Sequence, residues 1–107
     1  MDEQEFAGRA RTLLAQLETA LEQAVAQEHE LDYEWVAEGI LEIDCAAGGK
    51  IVVNRHAPSR EIWIAARRGG FHFRWDGEHW RDSRDGALFE TRLRELVAEQ
   101  TGVDVCF

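Results

Sequence analysis

The sequence lacks a long hydrophobic run and has little cysteine or proline. A membrane-spanning helix needs about 20 consecutive apolar residues, and no stretch of this chain approaches that length. Residues 1–6 are acidic and lack the basic and apolar regions of a secretory signal. Cys45 and Cys106 are far apart and form no CxxC motif, so we interpret each as a small buried apolar residue and not as part of a disulfide or zinc site. We expect an unprocessed, soluble, cytoplasmic protein.

Motifs of catalysis are also missing. His29, His56, His72 and His79 form no HExxH or other metal-ligand pattern, and there is no nucleophile elbow or phosphate-binding loop. His72 and His79 could approach each other on neighbouring strands, but an open sheet offers little enclosure for chemistry. We favour solvated surface histidines and do not expect an enzyme.

Positive charge is scarce, and the deficit is confined to one half of the chain. The net charge is −9, which argues against binding nucleic acid because that affinity depends on Lys and Arg. Residues 1–49 contain 12 acidic residues against Arg9 and Arg11, whereas residues 50–107 carry a net charge of +1. A one-sided distribution of this kind is typical of an interaction surface.

The hydrophobic pattern predicts a helix, a series of strands and a second helix. Apolar residues from Phe6 to Val25 recur at helical spacing, and we place the end of the first helix near Ala26. From Leu31 the pattern alternates, and short strand-like runs follow up to Trp80, separated by turns that include Gly48-Gly49, Gly69-Gly70 and Asp76-Gly77. Asp85 is the predicted N-cap of the second helix, and Gly102 is expected to end it.

These elements predict one domain over residues 1–107 of the α+β class. It is a two-layer α/β sandwich in which both helices cover one face of an antiparallel sheet of about five to six strands. Alternation places Asn54, Trp63 and His72 on the uncovered face. An exposed tryptophan is typical of a binding surface; alternatively, Arg55 or Arg67 and Arg68 could cover it through cation–π contacts.

The acidic residues of the first half predict a line of carboxylates, which we call the acidic ridge. Glu18 and Glu22 stack on one helix face, and further acids continue at two-residue spacing along the connection and first strand. The ridge comprises Glu18, Glu22, Glu28, Glu30, Asp32 and Glu34. Carboxylates suit hard cations such as Fe²⁺, Fe³⁺, Mn²⁺ or Ca²⁺, and His29 could add a nitrogen. Because the donors are exposed and spread out, we expect weak binding at most; a merely solvated acidic face is the alternative.

The central segment resembles a known family signature. The run from Asn54 to Ala65, NRHAPSREIWIA, is similar to the NRxxPxxxxWLA signature of the frataxin family. Residues 39–41, 69–73, Trp80 and 85–86 match the same family in order and spacing. The resemblance covers essentially the whole chain and is strongest to the bacterial branch of the family.

This resemblance implies a role in iron–sulfur cluster assembly and the same sandwich fold. It implies that the ridge (Glu18, Glu22, Glu30, Asp32 and Glu34) binds iron (Fe²⁺ or Fe³⁺) weakly and docks on a basic patch of the cysteine desulfurase. It also implies that Asn54, Trp63 and His72 contact the iron–sulfur scaffold protein. Thr19 and Gln23 stand where many relatives have acids, so the ridge is thinner here. We expect a regulator of assembly, with an iron carrier as the alternative, and a monomer in the absence of iron.

Overall fold

The first helix carries the apolar stripe that the sequence predicts. In the computed structural model, which describes residues 1–27 and 30–107, helix α1 runs over Glu3–Val25. It begins at Asp2, whose carboxylate accepts a hydrogen bond from the amide of Glu5. The buried side of α1 consists of Phe6, Ala10, Leu13, Leu14, Leu17, Ala20 and Leu21. The predicted end of the helix near Ala26 is confirmed.

Six strands follow in a simple meander. They are β1 (Asp32–Ala37), β2 (Ile40–Asp44), β3 (Lys50–His56), β4 (Glu61–Ala66), β5 (Gly69–Trp75) and β6 (Trp80–Asp82). Every strand pairs antiparallel with its neighbour in the chain, and the order across the sheet is β1 to β6. This arrangement leaves β1 and β6 at the two edges of the sheet.

Two predicted turns differ from the observed ones. Ala66 pairs with Gly69, so Arg67 and Arg68 form the turn between β4 and β5, and the two glycines belong to β5. A short 3₁₀ helix, Ala46–Gly48, replaces the predicted two-glycine turn before β3. Gly48 is required there for another reason: a Cβ would lie 1.8 Å from the carbonyl oxygen of Gln100.

The second helix, α2 (Phe89–Thr101), starts later than predicted. Its N-cap is Leu88, which is extended and bridges Arg81 of β6, so Asp85 lies too early to cap the helix. The prediction of Asp85 as N-cap is therefore wrong; its carboxylate instead accepts from the amide of Ala87 and pairs with Arg92. Gly102 ends the helix in the left-handed conformation (φ 77°), as predicted.

Helices and sheet enclose a single apolar core. Strand residues with the predicted inward alternation are fully buried, namely Leu41, Ile43, Ile51, Val53, Ile62, Ile64 and Phe73. They pack in one cluster with the buried stripes of α1 and α2. Cys45 belongs to this cluster as predicted, whereas Cys106 is exposed, so the prediction of a buried residue is wrong there. The two-layer α+β sandwich is confirmed, and it leaves the opposite face of the sheet open to solvent.

Candidate functional site

The helical half of the acidic ridge is held by aromatic side chains of β1. Glu18 accepts a hydrogen bond from the indole Nε1 of Trp35 (2.7 Å) and another from the hydroxyl of Tyr33 (3.2 Å). The same hydroxyl has one proton, which it shares between Glu18 and Glu22. One phenol therefore links two carboxylates that lie one helical turn apart and would otherwise repel each other.

This contact changes the acidity of the phenol. Partial burial raises the pKa of Tyr33 far above its ordinary value, and its hydrogen bonds to Glu22 and Glu18, together with the charge of both carboxylates, raise it further. Tyr33 thus remains a protonated hydrogen-bond donor well above the pH at which an ordinary tyrosine ionises. The sequence pattern placed Tyr33 and Trp35 on the side of β1 opposite the strand's acids, but it did not place them against α1.

The strand half of the ridge lies on the other side of β1. Asp32 is opposite Asp44 and Glu34 is opposite Glu42 in the β1–β2 register, so these four carboxylates share the open face of the sheet. Lys50 is the basic side chain beside them, and its Nζ lies 2.7 Å from Glu42. The predicted line of carboxylates is therefore divided by β1 into a helix group, Glu18 and Glu22, and a sheet group, Asp32 and Glu34.

Two further predicted ridge residues lie in the connection between α1 and β1. Glu30 is exposed in a turn that precedes β1. Glu28, together with His29, falls outside the described residues. The structure therefore locates five of the six predicted metal ligands and distributes them over a helix, a turn and a strand.

The donor set suits a hard cation, but it does not form a closed site. Carboxylate oxygens are the ligands that iron, manganese and calcium share. Within residues 1–27 and 30–107, no three His, Cys, Asp or Glu side chains are placed to hold one ion together. The fit is that of a loosely held, largely hydrated ion with one or two protein ligands.

A stack of three rings occupies the centre of the open face. The indole of Trp63 lies between the imidazoles of His56 (centroids 3.8 Å apart, planes 13° apart) and His72 (4.5 Å and 9°). Asn54, Trp63 and His72 are directly opposite one another on β3, β4 and β5. The predicted partner-binding residues of the sheet are thus brought together in one row.

A buried carboxylate is hydrogen-bonded to the indole of this stack. Glu61 is only 5% exposed although it alternates toward the open face. It accepts hydrogen bonds from Trp63 Nε1 (2.8 Å), from the Ser59 hydroxyl (2.9 Å) and from Arg74 Nε (2.8 Å). Burial alone would raise the pKa of Glu61, but these donors and the charge of Arg74 outweigh it and lower the pKa to about 2.

The alternative in which arginines cover Trp63 is wrong. Arg55 is opposite Ile62 in the register, points to the other side of the sheet from Trp63, and pairs with Glu38. Arg67 bonds the carbonyl oxygen of Gly48, and Arg68 pairs with Glu99 and lies over Phe71. The two histidines cover the indole instead.

Sequence reasoning missed the supporting residues of the stack. Glu61 is two residues before Trp63 on β4, so period-two alternation alone could have placed both on one face. Arg74 is two residues after His72 on β5, so alternation places it on the same face, and its register partner is Glu61. His56 is the last residue of β3, two residues after Asn54, so the same alternation places it on this face, opposite Glu61. His79, by contrast, lies in the loop before β6 and not opposite His72.

Comparison with known proteins agrees with this architecture. A family model described as a frataxin-like domain matches residues 1–103. This chain belongs to the frataxin family. Among curated frataxin-family relatives, the iron–sulfur cluster assembly protein CyaY of Dechloromonas aromatica is 49% identical over 95% of this chain and 94% of its own. CyaY of Cupriavidus taiwanensis is 41% identical over 100% and 96%.

Solved frataxin structures share the fold. Frataxin from Psychromonas ingrahamii superposes with a TM-score of 0.86 at 26% identity, covering 98% of this chain and 96% of that one. A trimeric frataxin from Saccharomyces cerevisiae, complexed with ferrous iron, superposes with a TM-score of 0.70 at 25% identity over 96% and 88% of the two chains. In the part of this frataxin that the structure describes, no helix is long and apolar enough to cross a bilayer.

Proposed function

We propose that this protein takes part in iron–sulfur cluster assembly as a binding protein that regulates the cysteine desulfurase. The observation that carries the proposal is the concentration of carboxylates around β1, with Glu18 and Glu22 on one side and Asp32 and Glu34 on the other. Both groups present oxygen acceptors to a basic surface. The named role of the CyaY relatives in cluster assembly supports the same assignment.

The open face of the sheet offers a second contact region for the same assembly. Asp32 and Glu34 lie on this face at the β1 edge, and Trp63 lies on it three strands away in β4. A partner complex that covers the face can therefore touch the carboxylates with one component and Trp63 with another. We assign the acidic ridge to the desulfurase, and Asn54, Trp63 and His72 to the iron–sulfur scaffold protein.

Iron has a modulating role in this proposal. An ion held by Glu18, Glu22, Asp32 or Glu34 neutralises part of the charge that attracts a basic surface, so iron and the desulfurase affect each other's binding through the same carboxylates. The absence of a closed ligand cluster in the described residues favours weak binding over a resident cofactor.

The proposal is tested by titrating this protein into purified cysteine desulfurase by calorimetry at low and at moderate salt. We expect binding that weakens steeply with salt, because exposed charges are screened over about 10 Å at 0.1 M. Glu22→Lys should abolish or greatly weaken the complex. Glu78→Lys changes the net charge equally at an exposed site away from the ridge and should leave affinity almost unchanged. Equal effects of the two variants would contradict docking through the ridge.

An iron carrier that delivers Fe²⁺ to the scaffold protein is the second candidate. It is favoured by the division of the carboxylates into two groups, since separate groups can hold more than one hydrated ion. It predicts saturable Fe²⁺ uptake that is lost in Glu18→Gln/Glu22→Gln/Asp32→Asn, and transfer of the metal to the scaffold without the desulfurase. Desulfurase binding without measurable Fe²⁺ uptake would eliminate this candidate.

A further inference from the structure

The two edges of the sheet differ in whether another strand can join them. At the β6 edge, the amide of Asp82 bonds the carbonyl oxygen of Ala87, and Leu88 bridges Arg81. The chain thus closes this edge with its own backbone. At the β1 edge, nothing in residues 1–27 and 30–107 pairs with the outer side of the strand.

The hydrogen-bond pattern shows which backbone groups of β1 face outward. The amide of Cys45 bonds the carbonyl oxygen of Gly49, and the amide of Arg55 bonds that of Gly39. In an antiparallel pair of strands, every second residue directs its N–H and C=O toward the partner strand. Counting in steps of two between Gly39 and Cys45, Leu41 and Ile43 direct these groups toward β3. Their partners on β1, Tyr33 and Trp35, therefore direct N–H and C=O to the open edge.

Among the outward groups, the amide of Tyr33 has a hydrogen-bond partner within residues 1–27 and 30–107, and this partner is local. The amide donates to the carboxylate of Asp32, its neighbour in the chain (2.8 Å). A register shift between Trp35 and Ala37 ends the regular edge at Trp35. The segment available to an added strand is therefore Asp32–Trp35.

The charge on both sides of this segment selects the kind of strand that can join it. Glu18 and Glu22 lie on the α1 side, and Asp32 and Glu34 lie on the open-face side. A second copy of this chain would bring carboxylates against carboxylates, and like charges opposite each other destabilise a sheet. A strand with Arg or Lys at alternate positions directs these side chains to one side of the sheet. On the α1 side they would meet Glu18 and Glu22, and on the open-face side they would meet Asp32 and Glu34.

We propose that β1 is a strand-addition site for an extended, basic segment of another protein. This inference rests on the proposed docking through the acidic ridge and specifies its form: backbone hydrogen bonds to Tyr33 and Trp35, flanked by ion pairs to the ridge. Strand addition of this kind derives affinity from main-chain bonds and selectivity from alternate side chains. A groove of about 450 Å³ lies between α1 and the β1–β2 hairpin. Its lining includes Leu14, Ala15, Trp35 and Ala37 together with Arg11 and Arg55, so it offers space for an apolar side chain of the added strand and not for a basic one.

The test uses the intact protein and a short, capped peptide that alternates arginine and valine. Its control is the same peptide N-methylated at two adjacent central residues, which removes one donor from each edge of the peptide without changing its charge. We expect the unmodified peptide to bind at least tenfold more tightly and to slow amide hydrogen exchange at Tyr33 and Trp35, with no change on β6. Equal affinity of the two peptides would overturn the proposal, because it would show attraction by charge alone.

Two protein variants provide an independent measurement. Proline is tolerated where an edge-strand amide faces solvent. Trp35→Pro removes the indole and one outward amide donor, whereas Trp35→Ala removes the indole and keeps that donor. We expect peptide binding in Trp35→Ala and loss of binding in Trp35→Pro; equal binding by both would contradict the proposal. Protection of the β1 amides that grows with protein concentration in the absence of peptide would instead show that a second copy occupies the edge.

The peptide experiments and the desulfurase titration test the two proposals separately. Peptide addition at β1 with no desulfurase complex would contradict the proposed function and leave the edge site standing. A ridge-dependent desulfurase complex without protection of Tyr33 and Trp35 would support the proposed function and overturn strand addition.

Discussion

Trp63 donates a 2.8 Å hydrogen bond from its indole Nε1 to Oε1 of Glu61, two residues earlier on the same strand. The bond joins the ring stack, in which Trp63 and His56 are half-buried and His72 is exposed, to a carboxylate that is almost fully buried. Tryptophan at this position therefore has two roles in the fold: its ring stacks on His56 and His72, and its nitrogen stabilises the charge of Glu61.

Acid stability should depend on this bond. The folded pKa of Glu61 is about 2 against an ordinary value of 4.5. A lowered pKa means that Glu61 stabilises the fold fully above pH 4.5, and that this contribution is lost as the pH falls from 4.5 through 2.

Trp63→Phe keeps the stacking but removes the hydrogen-bond donor to Glu61. We therefore expect a higher pKa of Glu61, measured by NMR of its carboxyl carbon, and acid unfolding that begins at higher pH. Glu61→Gln serves as the control, since it should remove most of this pH dependence; an unchanged Glu61 pKa in Trp63→Phe would contradict the prediction.

Tyr33 allows a direct measurement of the helix group of the ridge. It is the one tyrosine in the chain, so the ultraviolet absorbance of phenolate reports on it alone. We expect it to ionise far above its ordinary pKa of 10.0, because burial and the two carboxylates oppose the phenolate. Glu22→Gln removes one of these charges and should lower the pKa of Tyr33. Glu78→Gln is the control; an equal shift in both variants would mean that overall charge is responsible.

Gly48 should not tolerate a side chain. A Cβ at this position would lie 1.8 Å from the backbone oxygen of Gln100, and the backbone of α2 would have to move. We expect Gly48→Ala to lower the free energy of unfolding by about 2 kcal/mol, measured by urea titration. Gly8→Ala, on α1 with nothing within 4 Å of its Cβ, should instead raise stability by up to about 1 kcal/mol. Similar effects of the two substitutions would contradict the steric explanation.

Arg92 and Asp82 form a buried ion pair between α2 and β6. Their side chains are 7% and 2% exposed, and Nη1 lies 3.2 Å from Oδ2. Removing the arginine leaves a buried carboxylate without its counter-charge, so Arg92→Leu should cost about 3 kcal/mol of unfolding free energy.

The double variant Arg92→Leu/Asp82→Asn separates charge from packing. We expect it to recover much of the loss, because the amide keeps a polar contact to the Arg84 backbone without a charge. Denaturant titration of both variants completes the comparison; no recovery in the double variant would mean that Arg92 acts through packing on Phe71, over which its guanidinium lies.

The sequence predicted the fold because its signals are local. Helical spacing from Phe6 to Val25 and alternation along the strands each depend on residues close together in the chain, and both periods were correct. The start of α2 was missed because Leu88 is held extended by its bridge to Arg81 at the sheet edge. This pairing depends on where β6 lies in the sheet, which helix-capping preferences do not encode.

The candidate site could likewise be predicted from the sequence only in part. The sequence by itself determined which residues are acidic, that Trp63 lies on the open face beside Asn54 and His72, and to which family the signature is similar. Only the tertiary structure decided that α1 packs against β1, which brings Glu18 and Glu22 onto Tyr33 and Trp35 and separates them from Asp32 and Glu34. The reason is physical: alternation assigns a side chain to a face, but its partner across that face depends on packing between segments far apart in the chain.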